Sequence, residues 1–104
     1  MTGTNPKNGT VLPPDHLFTL TWTVMNTGNR DWDVNSVDYL YDSGKPMHLQ
    51  ALYNISNTVV PGGSINLPVS MRTPPNPGSY VTVWKMRKGQ QGEFCSMKFT
   101  VTVK

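Results

Sequence analysis

Apolar residues recur at every second position through most of the chain. Between Leu17 and Asn26, Phe18, Leu20, Trp22 and Val24 alternate with Thr19, Thr21, Thr23 and Met25, the period of a strand with one face buried and the other wet. The same period predicts a strand in which Val37, Tyr39 and Tyr41 oppose Asp38, Leu40 and Asp42. It predicts another in which Ile65, Leu67, Val69 and Met71 oppose Asn66, Pro68 and Ser70. Tyr80, Thr82, Trp84 and Met86 alternate with Val81, Val83, Lys85 and Arg87, and Met97, Phe99, Val101 and Val103 alternate with Ser96, Lys98, Thr100 and Thr102. A short strand near Thr10 to Leu12 and an edge strand within Met47 to Ile55 bring the count to about seven.

Turn residues punctuate these runs. Asn26-Thr27-Gly28-Asn29, Ser43-Gly44-Lys45-Pro46, Val60-Pro61-Gly62-Gly63 and Gly89 to Gly92 each end a strand. Asn and Gly suit such places because they tolerate positive φ. Pro68 lacks an N–H and therefore places its strand at or near a sheet edge. Thr73 to Gly78 holds three prolines in six residues and is expected to cross between sheets.

Composition excludes helix. One Ala and one Glu stand against twelve Thr, nine Asn, nine Gly and nine Pro, so strong helix formers are missing. With Cys95 alone, no internal disulfide can form. The expected fold is all-β: an immunoglobulin-like sandwich of about seven antiparallel strands, closed by packing. The 104 residues make one domain, read as excised from a longer protein.

The core is expected on Phe18, Trp22, Tyr80, Trp84 and Phe99, with Trp22 and Trp84 taking the cross-sheet place that a disulfide holds in antibody domains. Positions outside that core carry the candidate contacts. Leu40, Val81 and Val83 fall on the outward face of the closing sheet beside Lys85, Arg87 and Lys98, an apolar patch rimmed by positive charge. A protein partner and a neighbouring domain of the parent chain are the two candidate occupants. Trp32 stands in a polar loop between Arg30 and Asp33, either as a lid on the open end of the sandwich or as an exposed binding residue. In the second case it could stack sugar rings with Tyr41 and Tyr53.

Reactive groups are scarce. Two His, one Cys and six acids offer no recognisable nucleophile–base pair in Cys95 with His16 or His48. Asp31 and Asp33, with Asp15 and Asp38 as further oxygen donors, make no Asp-x-Asp-x-Asp run for calcium. No catalytic residue, metal or cofactor is assigned. The net charge of +3 is too small and too scattered for a nucleic-acid surface, and no apolar run approaches the ~18 residues of a membrane span. The domain is expected to be monomeric in isolation, to bind no nucleic acid itself and to enter no membrane.

An ordered set of residues resembles the four-tryptophan immunoglobulin-like domain found in selective-autophagy cargo receptors and in many bacterial proteins. It runs through Asn8-Gly9-Thr10, Pro13-Pro14, Phe18, Trp22, Asn26-Thr27-Gly28-Asn29 and Trp32. It continues through Val60-Pro61-Gly62, Pro74-Pro75, Pro77-Gly78-Ser79-Tyr80, Trp84, Gly92 and Phe94. Two positions depart from that pattern: Phe99 stands where the fourth tryptophan would fall, and Cys95 where a Gly usually follows the Phe. The resemblance implies a non-catalytic docking role, for cargo or other proteins in the autophagy receptors and in surface or secreted proteins of bacteria. It implies a cytoplasmic location in the first setting and an extracellular or cell-surface one in the second.

Overall fold

The computed structural model describes residues 3–88 and 92–104. Among these residues eight strands fold into two sheets. In chain order they are β1 (Gly3–Asn5), β2 (Thr10–Leu12), β3 (Leu17–Met25), β4 (Val37–Gly44), β5 (Leu52–Asn54), β6 (Ser64–Arg72), β7 (Gly78–Lys88) and β8 (Glu93–Val103). A three-stranded sheet β1-β3-β6 packs on a five-stranded sheet β2-β8-β7-β4-β5. The all-β sandwich without a disulfide is the fold that the alternation predicts.

Two details differ from the expectation. The polar start of the chain supplies an extra strand, β1, antiparallel to β3 with Thr4 opposite Trp22. After Asn5 the chain changes sheets, and β2 lies parallel to β8 with Val11 opposite Thr102, so the strands are not all antiparallel. The Gly89–Gln91 part of the expected hairpin turn lies outside the described residues.

The alternation sets the core. Along β6, Ile65, Leu67, Val69 and Met71 are buried while the residues between them are exposed. Trp22, Trp84 and Phe99 are fully buried, and Phe18 and Tyr80 pack against the same cluster from its margin. The Trp22 and Trp84 rings meet across the sandwich at 6.1 Å, and Phe18 meets Phe99 at 6.2 Å. Trp84 is the hub, touched also by His48, Tyr53, Tyr39 and Tyr41. Such rings bury large areas and favour tilted contacts.

Three side chains hydrogen-bond to the backbone of the opposite sheet. The Trp22 indole N–H donates to the Lys98 carbonyl at 3.3 Å. Tyr39 donates its hydroxyl to the Pro68 carbonyl at 2.7 Å, and the Tyr53 hydroxyl accepts from the Ser70 N–H at 3.3 Å. Leu49 N–H to Ser70 C=O and Arg72 N–H to Met47 C=O occupy the rest of that stretch. The outer edge of β6 is thus blunted at Pro68 and filled from Ser70 to Arg72, a guard against pairing with other chains.

The turn chemistry is partly as expected. Gly62 takes φ +84 and Gly63 N–H bonds back to Val60 C=O at 2.8 Å, a tight turn that needs the glycine. Asn26 to Asn29 works differently, since none of these residues is at positive φ. Here the Asn26 side chain holds the turn. Buried, it accepts from Gly28 N–H at 3.0 Å and donates to the carbonyls of Arg30 at 2.8 Å and Val59 at 2.9 Å. Left-handed backbone appears instead at Cys95, with φ +56, in the bulge where Lys85 faces Ser96 and Met86 faces Phe94. Glycine adopts that conformation freely, and cysteine holds it at a cost of about 1 kcal/mol. The Gly-to-Cys departure therefore leaves a glycine-type backbone in place.

Candidate interaction surface

The outward face of the five-stranded sheet carries Leu40 on β4 and Val81 and Val83 on β7, each half-buried by its neighbours. Leu52 of β5 lies opposite Leu40 and is 43% exposed. Register brings charge to the same face: Lys85 stands opposite Leu40, Arg87 opposite Asp38, and Val83 opposite Lys98.

That register changes the expected positive rim. Lys85 is engaged by Glu93 and by Asp42 at 3.5 Å, and Arg87 by Asp38 at 2.9 Å. The hydrogen bond to Glu93 chiefly raises the Lys85 ammonium above its ordinary range, and the bond to Asp38 does the same for Arg87. Two of the three cations are thus neutralised within the face. Lys98 has no acidic partner among the described residues. The Asp38 carboxylate also keeps one buried oxygen, Oδ1, without a partner among the described residues.

Trp32 lies at one end of the sandwich. Its backbone pairs with Val59 in both directions, at 2.9 and 3.0 Å, and its ring leans on Phe94 at 5.5 Å. Half of the lid reading is visible in this packing. The ring's remaining surface lines an open concavity of about 260 Å³ with Asn26, Asn29, Arg30, Lys88 and Phe94. Asn26 is the residue that sequence reasoning missed. Its position at a strand end, in Asn-Thr-Gly, was the available signal, but only the fold shows which carbonyls it ties.

The other candidates are dispersed. His16 precedes β3, where its N–H bonds to Thr73 Oγ1. His48 packs its ring on Tyr41 at 4.6 Å and on Trp84 at 5.4 Å, and burial lowers its pKa. Cys95 belongs to the bulge beside Phe94. Asp31 and Asp33 are exposed, and Asp33 Oδ1 caps its own loop at Asn35 N–H. Tyr41 and Tyr53 turn inward onto Trp84 rather than joining Trp32.

Two solved structures from Caenorhabditis elegans share this fold. SSP-19, an MSP-domain protein like family member, superposes with a TM-score of 0.55 at 13% identity, covering 98% of each chain. WR4, an MSP family member, gives 0.57 at 11% identity, covering 98% of this chain and 96% of its own. These likenesses concern the fold alone. No curated protein matches the sequence. The model of the Ig-like domain from next to BRCA1 gene matches residues 5–104, nearly the whole chain, and the chain belongs to that Ig-like domain family.

Proposed function

We propose that this domain is a non-catalytic protein-docking module, similar in role to the immunoglobulin-like domains of autophagy cargo receptors, and that it docks through the outward face of its five-stranded sheet. One observation carries the reading: Leu40, Val81 and Val83 form apolar ground on that face while Lys85 and Arg87 are tied to Glu93, Asp42 and Asp38. With these two cations already paired within the face, covering it does not leave either of them as an unpaired ion. The dispersal of His16, His48 and Cys95 over separate elements supports recognition over chemistry. A sugar platform needs exposed rings sharing one surface, and Tyr41 and Tyr53 pack inward while Trp32 leans on Phe94. That arrangement favours a protein partner over a glycan.

The test uses the domain as bait in three forms: unaltered, Val83→Asp and Trp32→Ala. The expected result is one dominant protein retained in near-equal amount, insensitive to free sugars and lost with Val83→Asp, whose melting temperature stays near that of the parent. Glycan binding abolished by Trp32→Ala would reverse the assignment. A large loss of stability in Val83→Asp would place Val83 in the core instead.

A further inference from the structure

The outer edge of β8 is only partly covered. Thr100 gives its N–H to Asn8 Oδ1 at 3.0 Å and takes the Gly9 N–H on its carbonyl at 2.9 Å. From there β2 continues the pairing opposite residues 101–103. Alternate residues of a strand face the same neighbour, so Lys98 and Ser96, like Thr100, direct their backbone groups away from β7. The Lys98 carbonyl is met from inside by the Trp22 indole. Outside the β7–β8 ladder, Ser96 N–H, Ser96 C=O and Lys98 N–H meet no partner among the described residues, and both residues are exposed.

The origin of this gap is the sheet change near Asn5. Had the segment before β2 stayed in the five-stranded sheet, it would run beside Ser96 to Lys98. Gly3–Asn5 pairs with β3 instead, leaving one strand position vacant in line with β2. The other edges are managed differently. β1, β2 and β5 are three residues each, and β6 is interrupted at Pro68 and filled from Ser70 to Arg72. Short, blocked or filled edges resist pairing. On β8 the vacancy is flanked by regular strand on one side and the Cys95 bulge on the other.

Charge selects the occupant. Lys98 is the outward-face cation without an acidic partner among the described residues, on a chain of net charge +3. A second copy paired edge to edge would bring two Lys98 side chains together, which is unfavourable for directly apposed strands. We propose that the edge of β8 at Ser96–Lys98 takes up a short, extended, acidic segment of a partner protein as an added strand. Backbone hydrogen bonds give the affinity and Lys98 the charge preference. The inference deepens the docking reading, on which it rests, by naming a second contact and its chemistry.

The probe is a capped pentapeptide, Thr-Val-Glu-Val-Thr, and its counterpart with Lys in place of Glu, each titrated to millimolar concentration into the isotopically labelled domain. The expected result is shifted, slowly exchanging amides at Ser96 and Lys98, with the acidic peptide bound about threefold to fivefold tighter. Lys98→Glu should reverse that order. Ser96→Pro removes an N–H that the alternation directs to the open edge and should weaken binding about fivefold to tenfold. If that variant fails to fold, N-methylation of the peptide's central residues reports on the same hydrogen bonds. Shifts confined to Leu40 and Val83 or to the Trp32 concavity, no shift at all, or self-association centred on Ser96 would overturn the proposal. Because the face is tested separately by Val83→Asp, a silent β8 edge would sink this inference and leave the docking reading standing.

Discussion

Replacing Asn26 with Asp changes one group in a nearly isosteric side chain, and the consequence can be worked from three hydrogen bonds. The Oδ1 bond from Gly28 N–H, at 3.0 Å, survives. The amide that served the Arg30 and Val59 carbonyls at 2.8 and 2.9 Å becomes a carboxylate oxygen facing two acceptors. Two lost bonds and a buried, unpaired charge together cost about 4 kcal/mol, a large part of the ~5–15 kcal/mol of a domain. The expected drop in melting temperature at neutral pH is roughly 20 °C. Acid should relieve it. A protonated carboxyl can again donate to one carbonyl, so the fold favours the protonated form and the folded pKa lies above the unfolded value of about 3.9. The folded state then binds more protons, and the deficit relative to the parent is full above the folded pKa and shrinks as pH falls through it. Urea titrations of the parent, Asn26→Asp and Asn26→Ala at neutral and mildly acidic pH measure this directly. A pH-independent deficit in Asn26→Asp, or a melt within a few degrees of the parent at neutral pH, would refute the assigned role.

Two further predictions concern the core. Trp22→Ala and Trp84→Ala, both at fully buried positions, should each lose roughly 3–5 kcal/mol. Trp22→Phe should lose about 1–2 kcal/mol, through smaller volume and the missing bond to Lys98 C=O. Cooperative melts near the parent's in the Ala variants would show that the rings do not carry the core. His48 supplies a pH dependence of its own, since burial lowers its pKa. The unfolded chain then takes up a proton first as pH falls below the usual imidazole value, so stability declines through that range and levels off below the folded pKa. In His48→Phe the midpoint in urea should lose that slope, and an unchanged slope would point to another group.

Much of the fold was legible because long strands announce themselves. β3, β6, β7 and β8 run nine to eleven residues, enough for period-2 burial to show, and Pro68 pointed to a place at or near an edge, which β6 takes. β1, Gly3–Asn5, has neither a period nor an apolar residue and went unseen, and alternation says nothing of which strand pairs with which, hence the parallel β2. The outward placement of Leu40, Val81 and Val83 followed from alternation. The neutralisation of Lys85 and Arg87 did not, although Asp38 and Asp42 share their face, because ion pairs depend on register. Asn26 carried a turn signal in sequence, yet its real task is to bind carbonyls four and thirty-three residues away.

The hydroxyls of Tyr39 and Tyr53 that close the edge of β6 come from the other sheet. Protection against aggregation is therefore only partly local to β6, where Pro68 lacks an N–H. Any opening that parts the two sheets withdraws both caps together and bares a strand of nine residues with four apolar side chains on one face. Conditions that loosen the sandwich without unfolding it should consequently favour self-association before loss of strand content. In this domain, resistance to clumping is a property of the closed sandwich as a whole.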